Sequence, residues 1–224
     1  MFERIQSATP FVKPFPPFDD VFNEPLALHR KHFLPLVSVD VSVIHDDLDL
    51  WLHFVMPFEP LLELEVGYFT HEYHDVYNCE GQFAFRVVDG KYTFAGDFNY
   101  FAFESGAIFK AFPDKKDEIL ADYRTRHTSY EESREGFLRY GRIPWTASSQ
   151  FDPDGNRPCG PLVSQLGGEP APGNWPDIPT NRNGKALRYI GEVQGFSYCE
   201  GGIQALLLFY DPDEQMVVFR TEWT

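Results

Sequence analysis

From Val37 the chain alternates: Val37, Val39, Val41 and Val43 share one parity, with Ser38, Asp40 and Ser42 between them. This is the period of a strand with one apolar and one polar face. Asp46-Asp47 then reads as a turn, and Leu50 to Met56 and Leu62 to Phe69 as further strands. Gln82 to Val88 and Lys91 to Phe98 flank Asp89-Gly90, a pair suited to a two-residue hairpin turn with positive φ at both positions. Between residues 114 and 140 the period changes. Ile119, Leu120, Tyr123, His127, Tyr130, Phe137 and Leu138 recur by threes and fours, predicting a helix, with a break near Thr128-Ser129 as a variant reading. Asp114, Asp117 and Glu118 suit its start, Arg139 and Arg142 its end, and Gly141 and Pro144 stop it.

Residues 144 to 184 are dense in proline and glycine and read as one long loop. Three short strands follow at Leu187 to Val193, Ile203 to Tyr210 and Met216 to Thr221, the last two joined by a turn at Asp211-Pro212-Asp213. The N-terminal 31 residues carry Phe11, Phe15, Phe18 and Phe22 among prolines and are expected to drape over the core. The class is α+β: mainly antiparallel sheet, one or two helices at about 114–140, and a long Pro/Gly-rich loop. Two lobes, 1–143 and 144–224, or one continuous domain fit this order.

Of 224 residues, 34 are acidic and 19 basic, a net charge of −15, yet aromatics reach 17% and hydrophobics 43%. Disordered acidic chains lack such apolar content, so the bulk is expected to fold. The charge is uneven. Residues 32 to 104 hold thirteen acids against Arg86 and Lys91 alone. Such a field repels nucleic acid and anionic membrane and attracts basic proteins. Acids on the outer face of a sheet also serve solubility alone, and the two readings start level. As a docking face, the set would include Asp46, Asp47, Asp49, Glu63, Glu65, Glu72 and Asp75, with Tyr73 and Tyr77 as aromatic anchors and Tyr68, Tyr92 and Tyr100 nearby.

No apolar run reaches the ~20 residues of a membrane span, and no export signal is visible near Met1. Cys79, Cys159 and Cys199 are odd in number and far apart, which suits a reducing compartment. The expected address is the cytoplasm.

Candidate chemistry is thin. His71-Glu72-Tyr73-His74-Asp75 with Cys79 offers zinc-type donors without the spacing of a zinc helix or finger, so no metal or other cofactor is expected. Asp152-Pro153-Asp154-Gly155-Asn156 resembles a calcium loop, but its twelfth position is Val163 where a bidentate Glu is needed. Cys199, followed by Glu200-Gly201-Gly202, has no histidine C-terminal to it and reads as a half-buried structural thiol. No phosphate loop, dinucleotide fingerprint or nucleophile elbow occurs, so no enzyme is expected.

The C-terminal third carries Leu166-Gly167-Gly168-Glu169-Pro170, Trp175-Pro176, Leu187-Arg188-Tyr189-Ile190-Gly191-Glu192-Val193, and Gly201-Gly202-Ile203-Gln204 running into Ala205 to Asp211. Residues 160 to 224 thereby resemble the bacterial YwqG-like family of unknown function, differing at Glu192 where that pattern shows Gln. The resemblance implies an architectural motif without catalytic residues. It also implies kinship with immunity proteins that neutralise toxins of interbacterial competition, type VI secretion among them. The leading expectation is an antitoxin that occludes a basic nuclease toxin. A binder of small molecules or peptides, with a pocket of Trp145, Trp175, Tyr189 and Phe196, ranks second. A hydrolase or metal enzyme using His71, His74 or Cys199 ranks third.

Overall fold

A computed structural model describes residues 1–59, 65–147, 159–170 and 178–222. The chain runs β1 (Phe2–Ile5), β2 (Val12–Pro14), α1 (Phe18–Val21), α2 (Leu26–His32), β3 (Phe33–Asp40), β4 (Trp51–Pro57), β5 (Gln82–Val88) and β6 (Lys91–Phe94). It continues through α3 (Ala107–Ala111), α4 (Lys116–Tyr140), β7 (Ile143–Pro144), β8 (Cys159–Gly160), β9 (Val163–Leu166), β10 (Arg188–Val193), β11 (Ala205–Asp211) and β12 (Met216–Glu222). The strands form a seven-stranded sheet in the order β1-β9-β10-β11-β12-β5-β6, a three-stranded sheet β2-β3-β4, and the pair β7-β8. Among the described residues the named strands pair antiparallel, with one isolated parallel bridge between Phe22 and Tyr92, which makes the fold α+β with mostly antiparallel sheet. The large sheet draws β1, β5 and β6 from the first 143 residues and β9 to β12 from the rest.

The small sheet packs on one face of the large one. Between them lies an aromatic core in which Phe33 meets Phe85 at 4.8 Å and Phe83 stacks on Phe219 at 4.9 Å. The opposite face of the large sheet buries a second cluster, with Tyr77, Tyr189, Leu207, Phe209 and Val218. Every residue of β11 is therefore buried, which its unbroken apolar run had required. Residues 1–31 cover the core as expected, and also build: Val12 to Pro14 adds β2 to the small sheet and Phe2 to Ile5 adds β1 to the large one.

Local chemistry placed the β5–β6 hairpin turn, where Asp89 has φ 52° and Gly90 φ 77°, although its second strand ends at Phe94 and residues 98–100 form a 3-10 turn where strand to Phe98 was expected. It also placed the end of α4, where Gly141 is left-handed and its N–H bonds to the Phe137 carbonyl. Four further expectations change. The alternating stretch leaves the sheet after Asp40 and turns through a 3-10 helix at Val41–Val43, and Ser38 is buried although its parity is polar. The described part of the Leu62 to Phe69 strand, residues 65–69, is turn; residues 60–64 lie outside the described residues. α4 is continuous through Thr128-Ser129, where the Ser129 hydroxyl accepts the Glu200 N–H at 2.8 Å, tying the helix to the C-terminal strands. The 144–184 stretch contains β9, held between β1 and β10. Gly191 allows that pairing, because a Cβ there would sit 2.4 Å from the Gln165 carbonyl oxygen.

Candidate functional site

The described acidic residues fall into two groups along the large sheet. Asp46, Asp47 and Asp49 lie exposed in the turn before β4. Asp47 accepts from Arg188 Nη1 with both oxygens at 2.7 Å, and that hydrogen bond holds its carboxyl below the usual carboxylate range. His45 sits 3.2 Å from the Tyr189 carbonyl, so this turn is fastened to the start of β10. Glu65, by contrast, accepts from Thr221 Oγ1 at 2.5 Å near the end of β12. Arg188 pairs with Tyr210 and Tyr210 with Val217, four residues before Thr221. The two acidic groups are therefore about 13 Å apart along the strand direction.

Within 65–80 the residues divide by role. Asp75 accepts from the N–H of Tyr77 at 2.7 Å and of Asn78 at 2.8 Å, so its carboxylate organises a turn. Tyr77 is buried in the second cluster, and burial pushes its phenol up to about 12. Tyr73 packs half-buried against the main core. Glu72 stays on the surface, while Glu63 lies outside the described residues. Sequence parity gave no sign that Tyr68 and Val76 would project outward, yet they are 44% and 55% exposed.

That segment is tied to its surroundings by buried hydrogen bonds. Thr70 donates to the Tyr100 carbonyl at 2.6 Å, and the buried Tyr100 hydroxyl lies 2.8 Å from the Cys79 and 2.9 Å from the Gln82 carbonyl oxygens. Gly67, at φ 86°, passes so close to Tyr100 that a Cβ would lie 2.6 Å from its ring. The His71 and His74 rings stand 4.9 Å apart, but His74 Nε2 bonds to the Gly67 carbonyl and Asp75 serves its turn. Among the described residues no group of three or more His, Cys, Asp or Glu is placed to hold a metal ion.

The other candidates disperse. Cys199 is fully rather than half buried, and burial pushes its thiol up to about 12. Trp145 and Phe196 lie on neighbouring segments, joined by the Ala147 N–H to Phe196 carbonyl bond, while Tyr189 packs on Phe209 at 5.5 Å. Trp175 and the Asp152 to Asn156 loop lie outside the described residues.

Two buried polar arrangements escaped the sequence reading. In the first, Tyr123 lies 3.3 Å from His32 Nδ1, whose Nε2 is 2.8 Å from Glu104, and Lys31 pairs with the same carboxylate oxygen. Burial pushes His32 down to about 4, so the ring is neutral: it accepts from the phenol and donates to Glu104. Beside it, Glu59 accepts the Ala102 N–H through one oxygen, and burial pushes its carboxyl up to about 8. In the second, Ser38 and His53 meet at 2.7 Å beneath the Pro14–Pro17 segment. Only register brings this pair together, and only the polar parity of Ser38 hinted at it.

Among the described residues no helix is long and apolar enough to cross a membrane. Comparisons with protein-family models, curated proteins and solved structures found no significant match.

Proposed function

We propose that this chain is a bacterial immunity protein that binds a basic toxin of an interbacterial competition system, a nuclease by preference, and neutralises it in the cytoplasm by occluding its active site. The observation that carries this reading is the 65–80 segment. Tyr68 and Val76 project from a braced backbone, with Glu72 exposed and Glu80 half-buried in the same stretch. A projecting aromatic ring in a segment that also carries solvent-facing carboxylate suits a hot spot with a charged rim. Bracing through Thr70 and Tyr100 lowers the ordering cost of binding. The surplus of acid in residues 32 to 104 would speed encounter with a cationic partner.

The YwqG-like pattern of residues 160–224 supports the same reading and supplies scaffold: β9, β10 and β11 of the large sheet. Asp46, Asp47 and Asp49 sit at the other end of that sheet and act as a steering field rather than as contacts. The test is co-expression with the toxin encoded by the adjacent reading frame. Growth is expected with the unaltered protein and killing with the Tyr68→Ala, Glu72→Lys double variant. No toxin in the neighbouring frame, or equal protection by both proteins, would overturn the reading.

A further inference from the structure

Register places three reactive side chains in one row across the small sheet. Lys13 of β2 pairs with Ser38 of β3, and Ser38 pairs with His53 of β4. Residues directly opposite on antiparallel strands have Cβ atoms about 5 Å apart. Their neighbours Val12, Val39 and Leu52 are fully buried between the sheets, so the row faces the other way. Phe15 to Pro17 crosses that face and leaves a cavity of about 270 Å³, lined by Lys13, Ser38, Trp51, His53 and Asp20 besides the crossing segment.

The hydrogen-bond directions are fixed. His53 Nε2 lies 3.0 Å from the Gly90 carbonyl, which can only accept, so Nε2 carries the proton. Nδ1 is then bare, and the Ser38 hydroxyl donates to it at 2.7 Å. The Tyr92 hydroxyl, 2.7 Å from the His53 N–H, fixes the strand beneath the ring. A hydroxyl thus meets a bare imidazole nitrogen, and the imidazole meets an orienting carbonyl, beside an open volume, the arrangement a serine nucleophile and its base require. Lys13 Nζ stands 3.8 Å from the centre of the Trp51 ring, a cation on the same wall.

The geometry points to an acyl-transfer site for small esters in this cavity, separate from the docking segment, with Ser38 as nucleophile, His53 as base and Lys13 facing the developing oxyanion. Ser38 Oγ bonds to the acyl carbon as its proton passes to His53 Nδ1. The ester C–O bond then breaks, and the alcohol leaves with that proton. Water attacks the acyl-serine by the same route and frees the acid. Burial pushes His53 down to about 4, against the opposing pulls of the Gly90 carbonyl and of Asp20, so the ring is in its proton-accepting form from pH 5 upward and is a weak base. The groups around the ring are Ser38, Lys13, Asp20 and Tyr92.

Full-length protein is incubated with a fluorophosphonate, whose fluoride leaves as the serine oxygen bonds phosphorus, and with p-nitrophenyl acetate; adducts are mapped by mass spectrometry. One equivalent on Ser38 is expected, with none on Ser38→Ala. Lys13→Met, at an exposed position, should fold normally and label at least tenfold more slowly. The labelling rate should rise through pH 4 and stay level from pH 5 to 8. No adduct on Ser38, labelling that survives Ser38→Ala, or a rate climbing tenfold per pH unit above 7 would each overturn the proposal and leave a cross-strand hydrogen bond only.

Discussion

Asp47 and Arg188, 141 positions apart, are joined through both carboxylate oxygens at 2.7 Å, so an acid that composition alone would assign to docking is held by the protein itself. The pair is substantially exposed, so solvent screens it and it adds little to stability. Asp47→Asn should therefore leave thermal stability nearly unchanged. It should also alter toxin association far less than Glu72→Lys, whose carboxylate is exposed in the same segment as Tyr68. Melting curves and stopped-flow association rates on the two variants check this.

Stability should peak near pH 6.5. Burial pushes His29, His32 and His53 down to about 4 from an ordinary 6.5. The unfolded chain thus binds protons that the native rings refuse, and stability falls as pH drops from 6.5 through 4. Glu59 has the opposite sign. Its native carboxyl titrates at about 8 against an ordinary 4.5, so the folded state holds the extra proton and loses stability as pH rises from 4.5 through 8. Each group contributes roughly 1.4 kcal/mol per pH unit within its window. The three histidines outweigh Glu59 below 6.5, and Glu59 acts without them above it. Urea melts across pH 4 to 8 should show the maximum, and Glu59→Gln should flatten the alkaline side.

Gly191→Ala should cost about 2–3 kcal/mol, the scale of an overpacked interior. The new methyl would meet the Gln165 carbonyl at 2.4 Å, inside the β9–β10 ladder, where backbone has little room to retreat. Gly90→Ala offers the contrast: nothing lies within 4 Å of its Cβ, so only its φ of 77° opposes the change. Chemical denaturation of both variants separates crowding from backbone strain.

What was legible in the sequence was local. The Asp89-Gly90 turn and the Gly141 helix stop rest on residues that dictate their own φ. The continuous apolar run of β11 announced a strand buried on both faces. β9 was hidden because four residues among prolines and glycines become a strand only when β1 and β10 flank them. The Lys13–Ser38–His53 row was hidden for a related reason: its members lie 25 and 15 positions apart, and only strand register aligns them. The acid count of residues 32 to 104 was plain, but it could not reveal that Asp47 grips Arg188, that Asp75 builds a turn or that Tyr77 is core.

The immunity reading is tested most directly by the association rate between this protein and the toxin encoded beside it, measured from 20 to 500 mM salt. The expected rate falls by about tenfold or more over that range, because acid-driven steering is screened. It should fall again with Glu72→Lys at low salt, while Tyr68→Ala chiefly speeds dissociation. A rate indifferent to salt and to Glu72, or no complex at all, would contradict it.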